Sequence, residues 1–288
     1  MWKQKLALAT SSTISASAEK QIEMFAAAGF EGFSTNMETE PNVKEYKKIG
    51  DSLGLVYQSV HAPFHGAARV SNMWEAGESG KIAARELCSC LEVCSENEVG
   101  IMVSHVYIGF DYEKPNETTA RIGLENFGKV VRRADELGVK VAFENTEGEE
   151  FLEILLRGFW GESAVGFCLD TGHEQCYNYG HDLLALYGEK LIATHINDNL
   201  GIRRFDGVTQ PRDDLHLMPF DGIIDWNRFA KRLDDVGYRG IMTYELKKTS
   251  HRDRHTNDLY TAMSDEVYIA EAYRCACKVA AMRNIKQG

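Results

Sequence analysis

The sequence predicts an α/β protein, a single TIM-type (β/α)8 barrel running over residues 1–288. Three observations predict it. Short apolar, β-branched runs alternate with longer segments of helical spacing along the chain, and that alternation without a two-strand hairpin signal is the mark of parallel βαβ units. There are eight such runs, the number that closes a parallel barrel. The length of 288 residues suits a fold that takes roughly 250.

The predicted strands are, in order, 5–10, 32–37, 55–61, 101–107, 140–145, 165–170, 191–196 and 240–245. Helical spacing covers 18–28, 42–53, 79–98, 117–137 and 226–236, and a last helix, 265–282, follows the eighth strand. Gly29, Gly54, Gly100, Gly138 and Gly237 each stand between a helix and the next strand, where glycine suits a left-handed residue closing the helix. The one long irregular segment is 199–222, charged and carrying Pro211 and Pro219; loops of that length are usually functional or disordered. A second polar stretch, 247–257, follows the eighth strand.

Composition narrows the function. Apolar residues make up 44% and charged residues 26%, as in ordinary soluble domains. The net charge of −11 gives no general pull toward nucleic acid or an anionic membrane. No run reaches the roughly 18 apolar residues of a membrane span, and the N-terminus lacks the layout of a signal peptide. The seven cysteines contain no CxxC pair, which argues against a thiolate zinc site and for reduced, buried thiols in the cytoplasm.

The chemistry lies in how the strands end. Six close on a metal-capable residue: VYQSVH at His61, IMVSH at His105, VAFE at Glu144, GFCLD at Asp170, IATH at His195 and MTYE at Glu245. All C-terminal strand ends of a parallel barrel open on one mouth, so these side chains are expected to converge. Three more candidates follow in loops: His173 in DTGH, and the pair Asp214 and His216. Asp198, in HIND, is placed to orient His195, because ligating imidazoles commonly donate their other N–H to an oxygen. Taken singly, a strand-end histidine is more often structural, and Asp170 before TGH equally suits a helix cap; the joint pattern is what argues for a site.

Imidazole and carboxylate without thiolate suit Mn²⁺, Zn²⁺, Co²⁺ or Fe²⁺. A divalent ion would relieve the repulsion among Glu144, Asp170 and Glu245 and hold a hydroxyl and carbonyl together. Phe64, Trp74, Trp160 and Phe220 are candidates to wall the pocket, and each also suits plain packing. Arg203, Arg204 and Arg212, or Lys247, Lys248, Arg252 and Arg254, are candidates to grip a phosphate, if the substrate carries one. His65, His181, His251 and His255 are expected to be solvated or structural.

The motifs SVHAPF, VAFENT, FCLDTGH, HINDN, DLHLMPFDGIIDW and YELK together resemble the xylose-isomerase-like TIM-barrel superfamily. It includes sugar (phosphate) isomerases and epimerases, 3-dehydroshikimate dehydratases and the endonuclease IV group. The epimerase branch implies one ion, Mn²⁺ as the leading choice, on Glu144, Asp170, His195 and Glu245. The two glutamates double there as proton-transfer groups, and His173 contacts substrate oxygens. The endonuclease IV branch implies three zinc ions on nine ligands, matched here by His61, His105, Glu144, Asp170, His173, His195, Asp214, His216 and Glu245.

The expected function is a metal-dependent sugar or sugar phosphate isomerase or epimerase working through an enediolate, on a small carbohydrate and without nucleic acid or membrane partners. The alternatives are a dehydratase on the same scaffold, an abasic-site phosphodiesterase, and a sugar-binding module. Residues 38–40 are acidic, and the stretch 65–80 holds one arginine, which lowers the nuclease alternative. Paired glutamates argue against mere binding. The sequence leaves the choice of sugar, the metal count and any homo-oligomer open.

Overall fold

The computed structural model describes residues 3–202, 209–251 and 254–284. The strands are β1 (Leu6–Ala9), β2 (Gly32–Asn36), β3 (Val56–His61), β4 (Ile101–His105), β5 (Lys140–Glu144), β6 (Val165–Asp170), β7 (Leu191–His195) and β8 (Met242–Tyr244). They form one sheet in the order β7-β6-β5-β4-β3-β2-β1-β8. Every ladder between neighbours is parallel. The ends of the sheet meet through a parallel bridge between Ile196 and Tyr244. There Ile196 N–H donates to Thr243 O at 2.8 Å and Glu245 N–H to Ile196 O at 3.1 Å. This is a nearly closed (β/α)8 barrel.

The connecting helices are α1 (Ala18–Ala28), α2 (Val43–Ser52), α3 (Glu78–Glu96), α4 (Glu117–Leu137), α5 (Glu149–Gly158), α6 (Thr171–Cys176), α7 (Leu183–Tyr187), α8 (Trp226–Asp235), α9 (Asp258–Thr261) and α10 (Asp265–Ala281). Local chemistry sets their ends. Ser17, Asn116, Asp225 and Ser264 accept first-turn N–H groups of α1, α4, α8 and α10, each worth about 1 kcal/mol. Gly29, Gly54, Gly138 and Gly237 take positive φ as expected, but Gly100 does not. Helix α3 stops at Glu96, and Glu98 (φ 56°) makes the left-handed turn before the glycine is reached.

One strand boundary is adjusted, and the connection after β6 carries two short helices. Strand β8 ends at Tyr244, so Glu245 is the first residue beyond it. The connection after β6 is broken into α6 and α7, because Tyr179 (φ 55°) and Gly180 (φ 71°) turn the chain and Asp182 caps a new helix.

Side chains alternate across a strand, and the barrel uses this to separate two cores. Outward residues such as Phe33, Phe143, Phe167 and Tyr244 pack beneath the helices with Phe25, Phe127 and Tyr268. Inward, a small cluster of Val103, Ala142, Cys168 and Ala193 plugs the barrel. Among the described residues no helix is long and apolar enough to cross a membrane.

Candidate metal centre

The inner plug positions the site. Two residues beyond each of its members, the same strand face reaches the mouth: Val103 precedes His105, Ala142 precedes Glu144, Cys168 precedes Asp170 and Ala193 precedes His195. Register completes the ring, with His105 beside Glu144 and Asp170 beside His195.

The nine candidate ligands come together as three groups, each with its ligand-capable atoms within 4.8 Å of one another: His61, His105 and Glu144; Glu144, Asp170, His195 and Glu245; and His173, Asp214 and His216. Glu144 belongs to two groups. Its Oε2 lies 3.2 Å from His61 Nε2 and 3.6 Å from His105 Nε2, and its Oε1 lies 3.0 Å from His195 Nδ1. The same His195 Nδ1 is 3.0 Å from Glu245 Oε2. In the third group Asp214 lies 2.7 Å from His216 Nε2 and 3.5 Å from His173 Nε2.

Three of the rings are oriented by backbone carbonyls. His61 donates from Nδ1 to Ala62 O at 2.7 Å, His173 to Asn145 O at 2.8 Å and His216 to Glu245 O at 3.2 Å. With Nδ1 engaged on the backbone, each Nε2 is turned toward its group and is the nitrogen left for a cation. Asp170 is both cap and candidate ligand: Oδ1 accepts His173 N–H at 2.7 Å and Oδ2 accepts Asn197 Nδ2 at 3.0 Å. Gly172 is required between them, since a Cβ there would lie 2.0 Å from Asn197 Oδ1.

The groups are strongly coupled electrostatically. Burial alone would raise the Glu144 carboxyl, but His195, His61 and His105 hold it well below the ordinary carboxylate range. Burial pushes Asp170 up to about 6 against the pull of His173 and His216. Burial drops His105 to about 3, leaving a neutral imidazole.

A cleft of about 550 Å³ opens over these residues. Of the four aromatics expected to wall it, Phe64 does so, its ring 4.2 Å from that of His105. Trp74 is buried elsewhere, donating from Nε1 to Val106 O at 2.8 Å and packing on Phe151. Trp160 lies under Lys190, and Phe220 packs on Trp226. Asp198 does not orient His195. Its carboxylate accepts Asn199 N, Ile224 N, Phe220 N and Trp226 Nε1 at 2.9–3.2 Å, so it ties down the loop before α8. Lys248 is spent on Asp265 and Arg254 on Asp213, both at 2.6 Å, while Lys247 reaches Asp214 at 3.3 Å. Arg212 has partners of its own; Arg203, Arg204 and Arg252 lie outside the described residues. Of the remaining histidines, His65 and His251 line the cleft, whereas His181 and His255 are exposed and paired with Glu149 and Asp258.

A family model described as xylose isomerase-like TIM barrel matches residues 22–266. The chain belongs to the xylose isomerase-like TIM-barrel family. Solved structures of the same fold include a zinc-bound IOLI protein, at TM-score 0.76 and 17% identity over 96% of this chain and 98% of that one. D-psicose 3-epimerase of Clostridium cellulolyticum, solved with D-tagatose, has TM-score 0.72 and 15% identity over 96% and 99%. A 3-keto-D-glucoside 4-epimerase of Escherichia coli has TM-score 0.67 and 14% identity over 93% and 99%. Among curated proteins, an uncharacterised protein of Sinorhizobium fredii is 27% identical over 165 residues, 55% of this chain. The match takes in about half of that relative's length, 47%.

Within this xylose isomerase-like barrel the donor set fits a divalent cation. Asp214 Oδ1 is buried with no hydrogen-bond donor, a costly state for a carboxylate unless a cation satisfies it. All donors are nitrogen or oxygen, as borderline divalent ions prefer. Sequence reading missed Glu147, Phe110 and Tyr177, which also line the cleft. Glu147 had a legible signal, a second acid in ENTEG just past Glu144. Tyr177 had none; it reaches the site because α6 places it against His173, with ring centroids 4.8 Å apart.

Proposed function

We propose that this protein is a divalent-cation-dependent isomerase or epimerase of a small carbohydrate, with the whole of 1–288 serving as one barrel unit. The observation that carries the reading is the placement of two carboxylates, Glu144 and Glu245, each 3.0 Å from the one Nδ1 of His195, at the floor of a cleft walled by Phe64. Glu144, Asp170, His195 and Glu245 would hold the cation, with Mn²⁺ the leading choice. Once bound, the cation supplies positive charge that acidifies the C–H bond beside a substrate carbonyl.

The two glutamates divide the proton transfer. Both line the cleft, but Glu245 keeps a third of its side chain exposed and is the more open of the two, so it takes the proton. Glu144 is 1% exposed, with both oxygens facing imidazoles; it would take up a solvent proton and deliver it to the substrate carbon, while the proton taken by Glu245 leaves to solvent. Positioned general bases of this kind contribute about 10²–10⁴-fold each. The names of the sugar epimerases that share the fold support the same class of substrate. A dehydratase would use the same first step and differ in losing water.

A three-cation phosphodiesterase is the second reading, favoured by the gathering of nine candidate ligands into three groups, two of which share Glu144. The pairing of Lys248 with Asp265 and of Arg254 with the buried Asp213 weighs against it, because a nucleic-acid backbone needs free cations at the mouth. The test is metal analysis with solvent deuterium exchange. About one Mn²⁺ per chain and label uptake into a ketose support the isomerase reading. Three zinc ions per chain with cleavage of abasic DNA and no label uptake would replace it.

A further inference from the structure

Glu147 stands in the cleft without a role in the scheme above. It follows β5 by three residues, is 6% exposed and lines the cleft, yet it belongs to none of the three ligand groups. One oxygen is fixed: Oε1 accepts Gly109 N–H at 2.8 Å. Gly109 sits at φ 138°, a conformation that other residues adopt only with strain. The loop after β4 is therefore shaped to hold this carboxylate. Among the described residues no lysine, arginine or histidine pairs with it. Its charged neighbours at longer range are His173 and Asp214.

We propose that Glu147 is a specificity residue that receives substrate hydroxyls, so that the cleft takes an unphosphorylated polyhydroxy compound and turns away its phosphate esters. A carboxylate with one oxygen already bonded has lone pairs left on the other, and these accept from O–H groups. A neutral sugar offers such donors along its whole length. A phosphate ester keeps its other hydroxyls, but its phosphoryl end near neutral pH offers charge of the same sign and almost no donors. The described cations nearest the mouth do not offset this, since Lys247, Lys248 and Arg254 are each on an aspartate. Buried polar groups discriminate strongly because the wrong partner leaves them unpaired.

The inference rests on the reading that this cleft is the substrate site, and its test separates the two. Whole Mn²⁺-loaded protein is titrated calorimetrically with free ketohexoses and with their 1- and 6-phosphates, and deuterium uptake is followed on the same panel. Wild type is compared with Glu147→Gln and Glu147→Lys, with metal content and melting temperature measured alongside. The expected result is binding of a free ketose about tenfold or more tighter than its phosphate ester. Glu147→Gln then narrows that gap at least threefold, Glu147→Lys reverses it, and metal per chain is unchanged. Equal or tighter binding of the phosphate ester by wild type overturns the inference, as does a gap that neither variant alters, or binding of no sugar at all. Selective binding of free ketose without label uptake leaves the specificity role standing and sinks the proton-transfer reading instead.

Discussion

His195 Nδ1 and Glu144 Oε1 face each other across 3.0 Å from β7 and β5, with β6 between them. Both side chains are almost fully buried, so the contact either holds a proton or gives it up to a cation. That choice governs the first two predictions.

Replacing Glu144 by Gln removes the carboxylate charge that faces His195 at 3.0 Å and holds its proton. Breaking a buried ion pair in this way costs about 3–5 kcal/mol. The metal-free variant should melt earlier than wild type by that margin in urea, and its Mn²⁺ content after dialysis should drop below half that of wild type. Glu245→Gln, at a more exposed position, should retain more metal while losing label uptake by about 10²-fold or more. Equal metal content in wild type and Glu144→Gln contradicts the assignment.

The stabilisation gained from a cation should grow with pH. Burial works against charge on His195 and His173, but Glu144 and Glu245 beside the first, and Asp170 and Asp214 beside the second, hold both rings' protons well above the ordinary histidine range. A raised folded-state value means that the proton's contribution to stability is complete below about pH 6.5 and is lost as pH climbs through the raised value. A cation on Glu144, Asp170, His195 and Glu245 must displace the His195 proton, which costs up to about tenfold in affinity per pH unit below that value; a cation on His173, Asp214 and His216 would meet the same cost at His173. The rise in melting temperature on adding Mn²⁺ should be larger at pH 8.5 than at pH 6. A rise that shrinks with pH speaks against protons and metal sharing these rings.

Asp198→Ala should loosen the 199–222 loop more than the barrel. Its carboxylate gathers four donors, and its backbone pairs with Leu217, next to His216. Leaving these donors unsatisfied costs about 2–4 kcal/mol. Limited proteolysis should cut within this loop faster than in wild type, while residues of β5 and β6 keep their hydrogen-exchange protection. Uniform loss of protection across the barrel would show that the latch is not local.

Gly123→Ala tests the reassigned Trp74. A Cβ at position 123 would lie 2.3 Å from Trp74 Cε3 and Cζ3, so the indole must leave its seat on α4. Overpacking of this kind costs about 1–3 kcal/mol. The variant should be destabilised in urea with its metal content unchanged. An effect on metal alone would return Trp74 to the cleft wall.

Much of this molecule was legible before any coordinates. Eight alternations of β-branched runs with helical spacing imply a parallel barrel, and a parallel barrel sends every strand end to one mouth. His61, His105, Glu144, Asp170, His195 and Glu245 were readable for that reason: period and direction are properties of the local chain. His173, Asp214 and His216 were also visible as residue types, although nothing local said that Asp214 and His216 would face His173.

What the chain order could not show was who answers whom. Asp198 sits beside His195 in sequence, yet its acceptors go to Phe220, Ile224 and Trp226, because a buried carboxylate takes whichever donors the loop brings to it. Trp74 packs under Gly123, and Lys248 and Arg254 meet Asp265 and Asp213, through contacts between segments far apart in the chain. Glu147 becomes a cleft residue only when Gly109, from another βα loop, donates to it. Propensity and periodicity are set by neighbours along the backbone; the pairing of charges and the walls of a cavity are set by neighbours in space, and only the closed barrel supplies those.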